Sequence, residues 1–220
     1  MDVLNLTNTV ALLQRLRERL APVEAAETLV DQVEGRQDNA RKAAVLLPLF
    51  VDNGVLQLAF IRRASSLRAH SGEIAFPGGK VEATDTSVVM TALREAQEEI
   101  GLDPTLVEPL GLLSPVFTVV TNYLITPVVG FLPQGLGSLK LQESEVAELF
   151  QISLPALADP AIAYTEHWSR DGQTRIVHFF DYETYRIWGA TGRILAAFLE
   201  LCTQPDTPTQ LETSAHCFPQ

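Results

Sequence analysis

Cysteine is scarce: Cys202 and Cys217 are the only two in 220 residues. They make no disulfide framework and stand at no metal-binding spacing, which fits a reducing compartment. Neither is placed to act as a nucleophile. Long apolar runs are also missing. No segment reaches the roughly eighteen uninterrupted apolar residues that a membrane helix needs, and the N-terminus lacks the basic region and apolar core of a secretory signal. The expectation is a cytoplasmic protein with no membrane partner. Positive charge is the third shortage, with 16 Lys and Arg against 27 Asp and Glu, a formal net charge of −11. A backbone of phosphates demands clustered cations, so nucleic acid is not an expected partner. No internal repeat is present. What remains, 46% hydrophobic and 20% charged residues, suffices for one sizeable core.

The most informative stretch runs from Pro77 to Leu102, PGGKVEATDTSVVMTALREAQEEIGL. Thr84 or Asp85 can cap a helix and Gly101 can stop it, so a helix over about 86–100 is expected. On that helix Glu95, Glu98 and Glu99 fall at i, i+3 and i+4 and form an acidic stripe. Val89, Ala92, Leu93, Ala96 and Ile100 form an apolar one. Like charges at this spacing cost roughly 0.2–0.5 kcal/mol per pair, a cost that a hard divalent cation removes. Mg²⁺ takes one or two carboxylates, keeps waters and completes its shell with phosphate oxygens. The plain alternative is a solvated face on which Arg94 pairs with Glu98. Before the helix, Pro77, Gly78 and Gly79 read as a turn whose backbone can approach a metal or phosphate closely.

Upstream lies LAFIRRASSLRAHSGEIAFPGGK, Leu58 to Lys80. Arg62, Arg63, Arg68 and Lys80, with His70 besides, face Glu73 alone inside this acidic chain. Such a local field suits an anionic ligand, and Arg grips phosphate in a two-pronged geometry. The alternative is a basic loop that aids solubility.

The first stretch resembles the Nudix box, G-x5-E-x7-R-E-U-x-E-E-x-G-U, with U aliphatic. Arg94, Glu95, Ala96, Glu98, Glu99, Gly101 and Leu102 match its second half. The first half departs: Asp85 stands where Glu is usual, and eight residues separate it from Arg94, so Asp85 reads as a cap and outer-sphere helper. The second stretch resembles the further signature of the coenzyme A pyrophosphatases within that superfamily. Arg63, Leu67, Arg68, His70, Gly72, Glu73, Phe76, Pro77, Gly78 and Gly79 match, with Ala64 and Ile74 in place of Ser and Val. The similarity runs from about Ala43 to Leu201.

This resemblance implies an α/β (α+β) fold, an α/β/α sandwich around a mixed sheet. It further implies metal-dependent hydrolysis of a coenzyme A-like diphosphate to 4′-phosphopantetheine and adenosine 3′,5′-bisphosphate. Mg²⁺ or Mn²⁺ would be held by Glu95, Glu98, Glu99 and a backbone carbonyl of Gly78 or Gly79. Glu98 or another of these carboxylates, or Glu145 in the later ESEV segment, would take the proton, with Arg94 as a brace. Arg63, Arg68, His70 and Lys80 are the expected substrate contacts. For Glu145 the alternative is compensation of a helix dipole, and for His70 a buried, hydrogen-bonded ring. Other readings are a Nudix enzyme for ADP-ribose or a dinucleotide, and a noncatalytic nucleotide sensor. The Nudix-fold isopentenyl diphosphate isomerase needs a catalytic cysteine that neither Cys202 nor Cys217 supplies.

For organisation, residues 1–40 read as an N-terminal helical extension, 41–202 as the enzyme domain and 203–220 as a disordered Thr- and Pro-rich tail. Within 4–33, Val10, Leu13, Leu16 and Leu20 form a stripe for core or subunit contact, which admits a homodimer. Ala43 to Val51 and Val55 to Ile61 flank Asp52, Asn53 and Gly54 as a hairpin. Strands are expected at Gly111 to Val120, Tyr123 to Phe131 and Arg175 to Tyr182, and helices at Glu145 to Phe150 and Gly189 to Leu201. Strands interleaved with helices, yet often joined by short hairpins, suggest a mixed sheet between helical layers.

Overall fold

The protein is described by a computed structural model over residues 8–33, 35, 37–66, 70–170 and 173–204. Of the tail expected from residue 203, Thr203 instead ends the last helix, and residues from 205 onward lie outside the described ones, as do residues 1–7. The N-terminal stretch forms helix α1 (Thr9–Arg19), capped by Asn8, and helix α2 (Ala26–Asp31). The hairpin follows as strands β1 (Arg41–Asp52) and β2 (Val55–Arg63). Asn53 and Gly54 turn it with φ of 49° and 80°, the positive pair that a tight hairpin requires.

The β1–β2 ladder holds only near that turn, from Asp52↔Val55 to Leu49↔Leu58. Beyond it the strands diverge, and two short strands fill the gap. Strand β3 (Ile74–Ala75) pairs with β2 at Ile61 and Arg62, and β4 (Gly78–Lys80) pairs with β1 from Ala43 to Val45. Gly78 and Gly79 therefore lie in a strand rather than in the expected turn. The reason is steric: a Cβ on Gly78 would strike the Ala44 carbonyl, so glycine lets this wedge lie close against β1.

Helix α3 (Val88–Ile100) leads to β5 (Glu108–Leu112), β6 (Val116–Thr118) and β7 (Tyr123–Leu132). One strand expected at 111–120 is thus two, interrupted at Leu113–Pro115. The sheet is mixed because β7 runs parallel to β1 while its other pairings are antiparallel. The segment expected as a helix from Glu145 is strand β8 (Val146–Ser153), paired with β2. Val146, Leu149 and Phe150 stand at the helical spacing i, i+3 and i+4, and the open edge of β2 overrides that signal in favour of a strand. Its register slips by one at Ala147: Arg62 faces Glu148, but Arg63 faces Val146, a β-bulge.

After the one-turn helix α4 (Leu154–Leu157), strands β9 (Ala163–Arg170), β10 (Gln173–Tyr182) and β11 (Tyr185–Ile187) build a second, three-stranded sheet, and helix α5 (Gly189–Thr203) closes the chain.

Alternate residues of β1 feed two cores. Leu47 and Leu49 pack with Leu12 and Leu16 of α1 and Leu195 and Phe198 of α5, whereas Ala44, Leu46 and Phe50 pack with Ala92, Ala96 and Ile100 of α3. Burial on both faces explains the near-continuous apolar run. The result is the expected sandwich of helices around a mixed sheet. No described helix is long and apolar enough to cross a membrane.

Candidate active site

The N-cap of α3 is Ser87, whose Oγ accepts the Met90 N–H at 3.1 Å, not Thr84 or Asp85. Asp85 is engaged elsewhere. Its two carboxylate oxygens accept Arg94 Nε at 3.0 Å and an Arg94 terminal nitrogen at 3.1 Å. They also accept the Thr91 hydroxyl and the Glu82 N–H, each at 2.9 Å. The Asp85 side chain is fully buried. The Arg94 guanidinium holds its carboxyl down to about 2, helped by the Glu82 and Thr91 hydrogen bonds. This pair stabilises the fold above the ordinary carboxylate range, and the contribution is lost as pH falls towards 2. Arg94 also donates to the Lys80 carbonyl at 2.9 Å and pairs with Glu95 and Glu98, each at 3.1 Å. One guanidinium thus ties the loop before α3, the end of β4 and two stripe carboxylates together.

Glu99 is the most enclosed member of the stripe, 2% exposed. One carboxylate oxygen accepts the Gly78 N–H at 2.9 Å and the other faces Arg63 at 3.5 Å. Burial pushes its carboxyl up to about 7; the Gly78 amide and Arg63 pull down, and the nearby charges of Glu95 and Glu145 push up. Glu95 is raised as well, chiefly by burial and partly by Glu98 and Glu145, against the pull of Arg94. Glu98 is largely exposed.

Of the residues singled out in the sequence, the fold brings together Glu95, Glu98, Glu99, Arg94, Gly78, Arg63 and Glu145. Glu145 arrives through the turn before β8, where its carbonyl accepts the Ala64 N–H at 2.8 Å. Gly78 meets Glu99 through its amide. His70 stays outside this group: it is exposed rather than buried, with Nδ1 on Glu73 Oε2 at 2.8 Å. Lys80 contributes its carbonyl to Arg94 while its side chain is exposed. Arg68 and Leu67 lie outside the described residues. The sequence reading missed the Asp85–Arg94–Thr91 junction, although the Nudix pattern places an acid near Asp85 and so carries its signal. It also missed the Glu73 carbonyl, which accepts the Arg63 N–H at 3.0 Å and fixes that arginine.

A buried carboxylate beside two others is held at a cost that a proton or a cation relieves. The backbone of β4 approaches this group closely: a Cβ on Gly79 would run into the Glu95 carboxylate. Among the described residues no three His, Cys, Asp or Glu side chains close around one point as a ready-made cage. The donors are one-sided carboxylates, which suits a hard ion that draws its other ligands from water and phosphate.

A family model described as NUDIX domain matches residues 40–180. The chain belongs to the Nudix family. Its relatives include the uncharacterized Nudix hydrolase NudL of Photorhabdus laumondii, 41% identical over 158 residues, which span 72% of this chain and 83% of that one. The NudL protein of Escherichia coli O6:H1 is 39% identical over 169 residues, 77% of this chain and 86% of that one. Among solved structures, a MutT/nudix family protein from Enterococcus faecalis covers 87% of this chain and 73% of its own at 16% identity. Its TM-score of 0.47 is too loose a likeness to add to the assignment. As a Nudix hydrolase the protein is an enzyme, of a family that hydrolyses pyrophosphate bonds and generally uses divalent metal ions. In this Nudix chain the box carboxylates stand on α3, facing the β3–β4 wedge.

Proposed function

We propose that this Nudix hydrolase cleaves the diphosphate of coenzyme A or a derivative, giving 4′-phosphopantetheine and adenosine 3′,5′-bisphosphate. The observation that carries the reading is the junction at Glu99. Arg63 and Gly78, which stand near the two ends of the coenzyme A pyrophosphatase-like stretch, both bond this single box carboxylate. This junction supports reading the signature-like stretch and the box as one site.

Glu95, Glu98 and Glu99, with the Gly78 carbonyl, are the residues that would hold Mg²⁺ or Mn²⁺. Such an ion supplies acidification of a water and neutralisation of charge on the phosphoryl oxygens. Glu98 or Glu145 would take the proton of the attacking water as its oxygen bonds to phosphorus and the bridging P–O bond breaks. Arg63 orients Glu99 and faces the incoming phosphate. Arg94 positions the carboxylates and touches no substrate.

Incubating the protein with coenzyme A and Mg²⁺ or Mn²⁺ is expected to yield adenosine 3′,5′-bisphosphate by chromatography. AMP from ADP-ribose alone would overturn the substrate while keeping the chemistry, and no product from either would favour a sensor. Gly79→Ala tests the cradle. The nearest atoms to the new methyl are those of the flexible Glu95 side chain, so the fold is expected to survive while Glu95 shifts by about an ångström, and turnover should fall roughly 100-fold. Unchanged kcat with native circular dichroism would place Glu95 outside the site.

A further inference from the structure

Successive residues of a strand point to opposite faces. Arg63 turns to Glu99, and Arg62 turns to the other face of the sheet, where Arg62 Nε donates to Glu148 at 2.9 Å. There a cavity of about 230 Å³ opens between residues 71–74 and β11, lined among others by Arg62, Glu73, Ile74, Tyr185, Arg186 and Trp188. It is smaller than the roughly 300–1,000 Å³ of sites that enclose a whole drug-sized ligand, so it fits part of one.

Its chemistry is mixed. Arg186 gives Nε and one terminal nitrogen to Asp181, at 2.8 and 2.9 Å. Arg62 gives Nε to Glu148. Arg62 also bonds the Tyr185 hydroxyl, and among the described residues the second terminal nitrogen of Arg186 has no hydrogen bond. Glu73 brings acceptors, and Ile74 is apolar and buried. The Tyr185 ring is closed off, stacked on Phe150 at 3.7 Å with Arg62 over it at 5.1 Å and its hydroxyl on Glu148 at 2.6 Å. Trp188 is half-buried, with Phe179 parallel to it at 6.1 Å and Trp168 at 5.7 Å. Positive and negative groups balance here, so the cavity suits no bare phosphate. A flat group with donors and acceptors on its edge and a π face fits it better.

The cavity wall is bonded to the backbone of Arg63, the residue whose side chain faces Glu99. It donates the Gly72 N–H to the Arg63 carbonyl at 3.2 Å and accepts the Arg63 N–H at the Glu73 carbonyl. We infer that this cavity receives the purine base of the substrate, with Trp188 as its stacking wall and Arg186 and Glu73 reading the base edge. The inference rests on the coenzyme A reading for how base and diphosphate are joined, and it names which end of the molecule lies where.

The test uses the protein's own fluorophores, because of its two tryptophans Trp188 lines the cavity and the Trp168 ring lies 5.7 Å from that of Trp188. Adenosine 3′,5′-bisphosphate, titrated without metal, is expected to quench tryptophan emission saturably, and 4′-phosphopantetheine is not. Arg186→Gln should weaken that binding roughly tenfold, the loss of one charged hydrogen bond. Trp168→Phe should keep the quench and Trp188→Leu should remove it. Glu99→Gln should leave the quench in place, which separates this cavity from the carboxylate site. Quenching by 4′-phosphopantetheine alone, or by neither compound, would overturn the assignment. If coenzyme A proves not to be hydrolysed while the quench persists, the base site stands and only the substrate reading falls.

Discussion

Glu99→Gln is expected to lower kcat about 1,000-fold or more, equivalent to about 4 kcal/mol of transition-state stabilisation, while the protein still folds. The size follows from position. Glu99 is the one box carboxylate bonded to both the wedge and β2, through Gly78 and Arg63, and no neighbour can replace it. The same substitution carries a pH signature with no turnover involved. With its carboxyl raised to about 7 by burial, Glu99 binds its proton more tightly in the folded chain than in the unfolded one. Its contribution to stability is therefore complete below the ordinary value of 4.5 and is lost as pH rises through 7. Metal-free protein should lose about 2–3 kcal/mol relative to Glu99→Gln between pH 5 and 8. Added Mg²⁺ should restore it with release of a proton. Thermal melts at a series of pH values, with and without Mg²⁺, check this. Parallel curves for the two proteins would mean that Glu99 is ionised throughout and holds no ion.

The second large effect is expected at Asp85. Asp85→Asn leaves Arg94 facing an amide that cannot balance its charge and removes an acceptor shared with Thr91 and Glu82. Removing one partner of a buried pair costs about 3–5 kcal/mol, and the lower end applies because Arg94 retains Glu95 and Glu98. Denaturant titration should show this loss, and activity should fall as Arg94 is pulled further onto the carboxylates it positions. Asp85→Glu, the residue usual in the box, discriminates the causes. If charge alone matters it recovers stability. If the shorter reach across an eight-residue spacing matters it does not. An Asp85→Asn protein as stable as the parent would show that Asp85 is only a loop residue.

Much of the site was legible because it is local. Glu95, Glu98 and Glu99 share a face by helical periodicity alone, and Gly78 stands close before them. What escaped the sequence depends on partners far along the chain. Arg62 and Glu148 are 86 residues apart and meet only because β8 pairs with β2. Nothing in ESEVAELF reveals the open strand edge that makes it extended. Gly78 and Gly79 read as a turn because glycine pairs usually are turns; here they allow close strand packing. Strand β9 escaped for the opposite reason: its described side chains, from Ala163 to Ser169, are all exposed, so no apolar alternation marks it, whereas the buried Phe179 and Phe180 made β10 readable. Asp85 looked like a cap because its bond to Arg94 belongs to three dimensions rather than to spacing.

The slip at Ala147 gives strand β8 two allegiances. On one side of it Phe150 and Ile152 belong with α1 and α5, and Glu148 supports the Arg62 cavity. On the other, Val146 belongs with α3 and leads to Glu145. Because sidedness along a strand repeats every two residues, inserting or losing a single residue between 148 and 152 would exchange the two surfaces. A change of two would preserve them. An odd change in that strand is tolerated only where a second bulge absorbs it, as the slip at Ala147 already does for one residue.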